Sequence, residues 1–433
     1  MSADQASQNE RTIMHLLPPH SASQADKNFF HLVGDVLWFG IALAATSRFM
    51  SVYAIRLDAT PLAQSLIVSL PGLVLGFSAF FAAWWRNRFQ KTDQAVRLPG
   101  IIFRFVFLLP AFAPFFPPDF QVVWLVLAVA IPAIPQGIAG VIFMTFMRES
   151  IGDSKWDIIN TRRFLGMNIG IAIGALGFGL MLTKVPFPYN YQLMFVIAFC
   201  FSMVSYYHVY KTRSIYPTPK PEVTADKVTP LHKLPGFRRV IVGIVVAHLT
   251  FLSVNAVVPL ALVQRLGAQE GFIALYGMSE LMGGVAFGLF GHRITHRLGS
   301  KRTSAIFMCL TAITPLTAAL SPVLGLTLIG GFAAGLGWTG TITGLLAQLV
   351  EKTPSHAMPR ASARWNQLAA IGIFFGPLIG GLLANSGVDL SHVLLFGVTL
   401  RLTGGIVLGA EQHMFRDAWH LITHPRLAFA HSK

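Results

Sequence analysis

The chain has 433 residues, 54% of them hydrophobic and 12% charged, with a mean hydropathy of +0.59. Such a composition is too apolar for a soluble domain of this length. The formal net charge of +15 raises nucleic acid as a partner, and two cysteines, Cys200 and Cys309, both inside apolar stretches, argue against a disulfide framework or a cysteine metal site.

Residues 1–29 are polar and hold no apolar core of signal-peptide type, so the first span itself is expected to direct insertion. Apolar stretches near the roughly 20 residues needed to cross a bilayer then follow at 30–53, 61–85, 99–116, 119–147, 163–184 and 188–210. A proline-rich, mixed-charge segment at 212–236 reads as an irregular cytoplasmic linker. Six more spans follow at 237–263, 269–292, 302–320, 322–351, 364–386 and 389–410, the ninth and tenth separated only by the breaker Ser321-Pro322. The expectation is an all-α integral membrane protein with bundles at 30–211 and 237–410. After the last span, Phe415, Ala418, Trp419 and Ile422 recur at helical spacing before Pro425. In the tail 411–433 this predicts an amphipathic helix on the inner membrane face, the alternative being a frayed polar tail.

With the N-terminus placed inside, most of the 33 Lys and Arg fall on inward segments. The outward loops hold only Arg56, Lys184 and Arg265, and Arg48, Arg104 and Arg401 lie within spans. That bias puts both termini in the cytoplasm. The basic surplus reads as orientation and lipid contact, with no nucleic-acid partner.

The second half repeats the first. Arg56-Leu57-Asp58-Ala59 and Arg88 recur 209 residues later as Arg265-Leu266-Gly267-Ala268 and Arg297. Arg162, Ile169, Gly170, Gly174 and Gly179 recur 202 residues later as Arg364, Ile371, Gly372, Gly376 and Gly381. Two copies of a multi-helix apolar unit suggest a transporter plan.

These residues resemble the major facilitator superfamily. The loop Gly291-His292-Arg293-Ile294-Thr295-His296-Arg297-Leu298-Gly299-Ser300-Lys301-Arg302 is similar to that family's loop of glycine, Asp-Arg-x-Gly and two basic residues. Arg297, Gly299, Lys301 and Arg302 match in type, and His296 replaces the aspartate. The first-half copy keeps Arg88, with Asn87 for the aspartate and Gln90 for the glycine. The resemblance implies a monomeric carrier of the cell membrane working by alternating access, its first, fourth, seventh and tenth spans lining the cavity. It also implies that Arg88 and the loop Arg297–Arg302 act in gating by pairing with carboxylates or helix C-termini; the alternative is a plain positive-inside anchor.

Gly170, Gly174 and Gly179 in the fifth span, and Gly372, Gly376, Gly380 and Gly381 in the eleventh, clear grooves for close helix approach. The expected place for that packing is the interface between halves. Gly277, Gly283, Gly284, Gly288 and Gly291 in the eighth span read the same way, and no such run follows a strand as a phosphate-cradling loop would.

Ionisable groups inside a bilayer are costly and merit functional hypotheses. Glu280, near the midplane of the eighth span, is a proton-coupling or substrate-contact candidate, against a static buried hydrogen bond. Asp35, in the inner part of the first span, is the second coupling candidate, against hydration or pairing with a loop arginine. Arg48 lies about 220° around the same helix from Asp35 and either holds an anionic group or snorkels outward. His248 and Asn255 are one heptad apart and share a face within about 20°; substrate contact and hydrogen-bonded packing both remain open. Gln136, Trp338 and Thr339 complete the cavity candidates. Arg104 and Arg401 are peripheral by family analogy, Arg401 requiring a buried partner.

No nucleophile motif or histidine metal pattern competes, so neither an enzyme nor a cofactor is expected. The function expected is secondary transport of a small organic solute coupled to protons. A transporter-shaped sensor or a membrane binding or assembly factor is the alternative.

Overall fold

The computed structural model describes residues 23–152, 155–216, 231, 234–354 and 357–410. The 411–424 helix, residues 1–22 and most of the 212–236 linker lie outside the described residues. Within them the chain is helical, with no strand. The main helices are α1 (Gln24–Arg56), α2 (Pro61–Ala79), α3 (Thr92–Phe107), α4 (Pro118–Ile151), α5 (Trp156–Lys184) and α6 (Tyr189–Lys211). They continue as α7 (Phe237–Arg265), α8 (Glu270–Leu298), α9 (Ser300–Leu320), α10 (Leu324–Lys352), α11 (Met358–Asn385) and α12 (Leu390–Gly409).

Among the described residues, 10 helices are long and apolar enough to cross a membrane, or 11 if the bent pair Thr92–Phe107 and Leu109–Phe115 is one span. The protein is thus a multi-pass membrane protein, with fewer clear spans than the expected twelve. The helix outside this set is α10, 29 residues long, whose apolarity is diluted by Gly335, Gly337, Gly340, Gly344, Thr339, Thr341 and Thr343.

Local chemistry sets the boundaries. α1 starts at Gln24, ahead of the apolar stretch, because the Ser23 hydroxyl accepts the Asp26 amide at 3.2 Å. Thr60 caps α2 in the same way, with Pro61 in its first turn. Pro99, Pro110 and Pro114 remove amide donors, and the third span bends by 40°. The seventh span is broken. Proline at 259 cannot donate to the Asn255 carbonyl, and the chain turns between Leu252 and Val257. There the Asn255 and Val257 amides bond three residues back, to the Leu252 and Val254 carbonyls. The Phe251 and Ser253 carbonyls thereby lose their regular helical donors. His248 and Asn255 therefore do not share one continuous helical face.

Contacts divide the chain into two compact units. The first comprises Met1–Val228, Pro259–Met278 and Ala384–Ser386; the second comprises Thr229–Val258, Ser279–Leu383 and Gly387–Lys433. In the first unit, α5 lies against α1 through glycine. A side chain at Gly170 would strike the Leu37 carbonyl, and one at Gly174 would meet the Ile41 carbonyl at 2.5 Å and Ala44 Cβ at 2.8 Å. Gly179 faces Ala274 Cβ. In the second unit, Gly372 and Gly376 seat α11 against His248, Leu249 and Leu252 of α7. The Gly380 amide donates to the freed Ser253 carbonyl at 2.9 Å, and Gly381 is buried. Gly170, Gly174, Gly372, Gly376 and Gly380 thus pack helices within one half of the sequence, which corrects the expected interface between halves for them, whereas Gly179 meets Ala274 of the second half as that expectation has it. Gly283 and Gly335 bring α8 and α10 together at the Phe332 and Glu280 carbonyls.

Gly170→Val is expected to lower stability by about 1–3 kcal/mol through overpacking. Gly177, with nothing within 4 Å of an added Cβ, should accept alanine neutrally or with a gain of up to about 1 kcal/mol. Thermal unfolding of the detergent-purified variants measures the contrast, and equal losses would contradict the packing.

Candidate functional site

In the first unit α1, α3, α5 and α6 meet around one carboxylate. Asp35 is buried, and its Oδ2 accepts Arg163 Nη1 of α5 at 2.9 Å. Its Oδ1 accepts the Ser205 hydroxyl of α6 at 2.7 Å, with Arg104 Nη2 of α3 at 3.5 Å. Side-chain exposures of 5% for Asp35, 4% for Arg104 and 15% for Arg163 leave little water to stabilise the charges, so they depend on one another. Arg104 sits where α3 tightens into a 3-10 turn over Phe103–Phe107. Its Nε donates to the Ser202 carbonyl at 2.9 Å, its Nη2 to Ser205 Oγ at 2.8 Å and its Nη1 to the Gly100 carbonyl. Arg163 also donates to the Leu32 carbonyl, and its guanidinium lies 4.9 Å over the Phe143 ring.

The cluster forms one wall of a cavity of about 200 Å³. Asp35, Arg104, Arg163 and Gln136 are its charged and amide lining groups; Phe39, Phe103, Phe143, Met167, Val96 and Val209 line it too. Two guanidiniums face one carboxylate, so the lining carries a surplus positive charge. One turn before Asp35 on α1, His31 Nδ1 meets His208 Nδ1 of α6 at 3.0 Å, one ring donating and the other accepting.

The structure therefore joins two sequence candidates, Asp35 and Gln136, at one cavity. Arg104, expected at the periphery, belongs to the same cluster. Arg163, Ser205 and the His31–His208 pair were not anticipated. The available signal was Arg104 itself, an arginine deep in an apolar span that demands a counter-charge.

The remaining candidates lie elsewhere. Arg48 sits in the π-helical turn Ala45–Phe49 of α1, with its side chain along Gly277. Glu280 is half-buried on α8, its carbonyl beside Gly335. His248 donates from Nδ1 to the Ile244 carbonyl at 2.8 Å, and its ring packs edge-on to Trp338 at 5.0 Å. Trp338 stacks on Phe251 at 4.2 Å, and the carbonyl of half-buried Thr339 accepts the Thr343 hydroxyl at 2.8 Å. Arg88 covers the Trp84 ring at 3.7 Å. Arg297 and Arg302 are exposed and Lys301 is half-buried. Gly299 ends α8 with φ 79, the left-handed backbone that favours glycine, and Ser300 Oγ reaches Glu351 at 3.1 Å.

Two further polar clusters stand out. In the first unit Arg56 Nε and Tyr191 Oη both meet Glu270 Oε1, at 3.0 and 3.2 Å. In the second, Arg401 is 0% exposed and gains the partners it required. Its Nη1 donates to the Thr311 carbonyl at 2.8 Å, and its Nη2 to the Phe251 carbonyl at 2.6 Å and Asn255 Oδ1 at 3.0 Å. The break in α7 makes the Phe251 carbonyl available. Arg401 is therefore central to its unit, and Asn255 is its ligand.

The sequence model of the Major Facilitator Superfamily matches residues 37–377. A curated relative, the efflux pump mlcE of Penicillium citrinum, is 25% identical over 146 residues, which make up 32% of this chain and 26% of that protein. That match spans about a quarter of the relative's length. Among solved structures, the nucleoside transporter NupG superposes with a TM-score of 0.70 at 11% identity, covering 88% of this chain and 98% of its own. A peptide transporter POT in complex with alafosfalin superposes with a TM-score of 0.64 at 14% identity, covering 88% of this chain and 93% of its own. At such identities the likeness concerns the fold.

Arg401→Leu would orphan the Phe251 carbonyl, at about 1–3 kcal/mol, and leave the Thr311 carbonyl with the Thr314 amide alone. Thermal unfolding in detergent should show a clear loss of stability, with Arg401→Lys recovering part of it. An unchanged transition for Arg401→Leu would contradict the assignment.

Proposed function

The chain belongs to the Major Facilitator Superfamily, and on that premise we propose that it is a secondary active transporter moving a small organic solute by alternating access, driven by protons. The observation carrying this reading is Asp35, buried between Arg104 and Arg163 on the wall of the first unit's cavity. Alternating access needs groups whose pairing differs between states. Protonating Asp35 removes the negative charge that holds Arg163 and Arg104 and alters the charge presented to the cavity. Proton uptake and solute binding are then linked through the same side chains. Gln136, with its amide at the cavity, supplies a neutral contact.

Glu280 remains a second candidate carboxylate, half-buried on the glycine-packed face of α8 and α10. The positive-inside bias supports both termini in the cytoplasm of a cell-membrane protein, acting as a monomer.

The test is solute flux in proteoliposomes under an imposed pH gradient. Asp35→Asn should abolish gradient-driven accumulation, by at least about tenfold, while leaving downhill exchange measurable. Glu280→Gln should reduce accumulation less. Full accumulation by Asp35→Asn would remove Asp35 from the coupling.

A further inference from the structure

We infer that the cavity of the first unit is a subsite for a small organic monoanion, a carboxylate with an apolar or aromatic body, held by Arg163. This deepens the transport reading and rests on it. Its first support is charge. Arg104 and Arg163 face the single carboxylate of Asp35, and the lining contains no other acidic side chain. A neutral solute leaves that surplus positive charge uncompensated in a low-dielectric site, whereas a monoanion balances it. A dianion would meet Asp35 with excess negative charge.

The second support is the donor inventory. Every nitrogen of Arg104 already donates, to Ser202, Gly100 and Ser205. Arg163 commits Nη1 alone, to Leu32 and Asp35. Among the described residues its Nε and Nη2 have no protein acceptor. These two nitrogens form one edge of the guanidinium fork, the geometry that takes a carboxylate through two parallel hydrogen bonds. The Gln136 amide also lines the cavity and has no protein partner among the described residues, so it can donate to the same anion.

The third support is shape. Phe39, Phe103, Phe143 and Met167 supply apolar walls, suited to a hydrocarbon or aromatic body. A volume of about 200 Å³ lies below the roughly 300–1,000 Å³ of drug-sized sites, so the occupant is small or inserts only its acidic end. A soluble acid and a membrane-derived fatty acid share this chemistry.

The test measures binding to the full-length protein in detergent, by calorimetry and thermal shift. The probes are benzoate for a soluble acid, oleate for a membrane-derived one, and benzamide and benzylamine as neutral and cationic controls. Benzoate or oleate should bind at least about tenfold more tightly than either control, and the tighter acid names the source. Arg163→Gln should weaken acid binding about tenfold or more, with Arg163→Lys intermediate. Asp35→Asn should tighten it several-fold, because it removes the competing carboxylate; misfolding cannot produce that opposite sign. Arg97→Gln, which alters the separate Asp93 pair, should leave binding unchanged. Equal binding of benzoate and benzamide, no binding of either acid, or unaltered acid binding by Arg163→Gln would overturn the inference. Proton-driven flux of a neutral solute without acid binding would end this inference and leave the transport reading standing. Acid binding without any flux would do the reverse.

Discussion

The structure of the first unit depends on a carboxylate almost removed from water. Asp35 can remain in the interior of α1 only because Arg163, Ser205 and Arg104 converge on it from α5, α6 and α3. The convergence requires α5 to approach α1 at backbone distance, which Gly170 and Gly174 permit. It also requires α3 to tighten at Phe103–Phe107, delivering Arg104 to the carbonyls of Gly100 and Ser202. Packing and electrostatics are thus one constraint: the glycines exist where the charges need the helices to meet.

The second unit solves the same problem differently. Arg401 is as deeply buried as any side chain in the protein, yet the partners seen here are carbonyl and amide oxygens of Thr311, Phe251 and Asn255. The Phe251 carbonyl is free because α7 breaks ahead of Pro259, and the Thr311 carbonyl lies at the turn in α9. The pairing locks a broken helix to α9 and α12, and the Gly380 amide on the Ser253 carbonyl ties the same break to α11. Two arginines buried in related copies therefore have different roles, one beside a protonatable partner and a cavity, the other bracing a helix break. The copies agree in their packing glycines and diverge in their buried charges. Change of protonation, on this account, belongs first to the copy that pairs its buried arginine with a carboxylate.

The architecture was largely legible in the sequence because its causes are local and periodic. Apolar length marks the spans, and glycines at offset 202 mark matched packing faces that the structure places on α5 and α11. Legibility failed where a property depends on partners far along the chain. Arg163 lies 128 residues from Asp35, and nothing near either residue announces the other. Arg104 looked peripheral because family analogy assigns the third span to the rim, and analogy carries no information about this carboxylate. His248 and Asn255 looked like one face because helical spacing assumes an unbroken helix, an assumption that Pro259 defeats four residues after Asn255. α10, drawn from the sequence as a span over 322–351, falls outside the helices apolar enough to cross a membrane because its glycines and threonines score as weakly apolar.

The most direct measurement is an experimental structure of the full-length protein with a bound organic acid. The account predicts the acid against the Nε and Nη2 edge of Arg163, near Gln136, with the Asp35–Arg163 contact, now 2.9 Å, lengthened or broken. An acid seated in the second unit beside Trp338 and His248, with the Asp35 cluster unchanged, would contradict it.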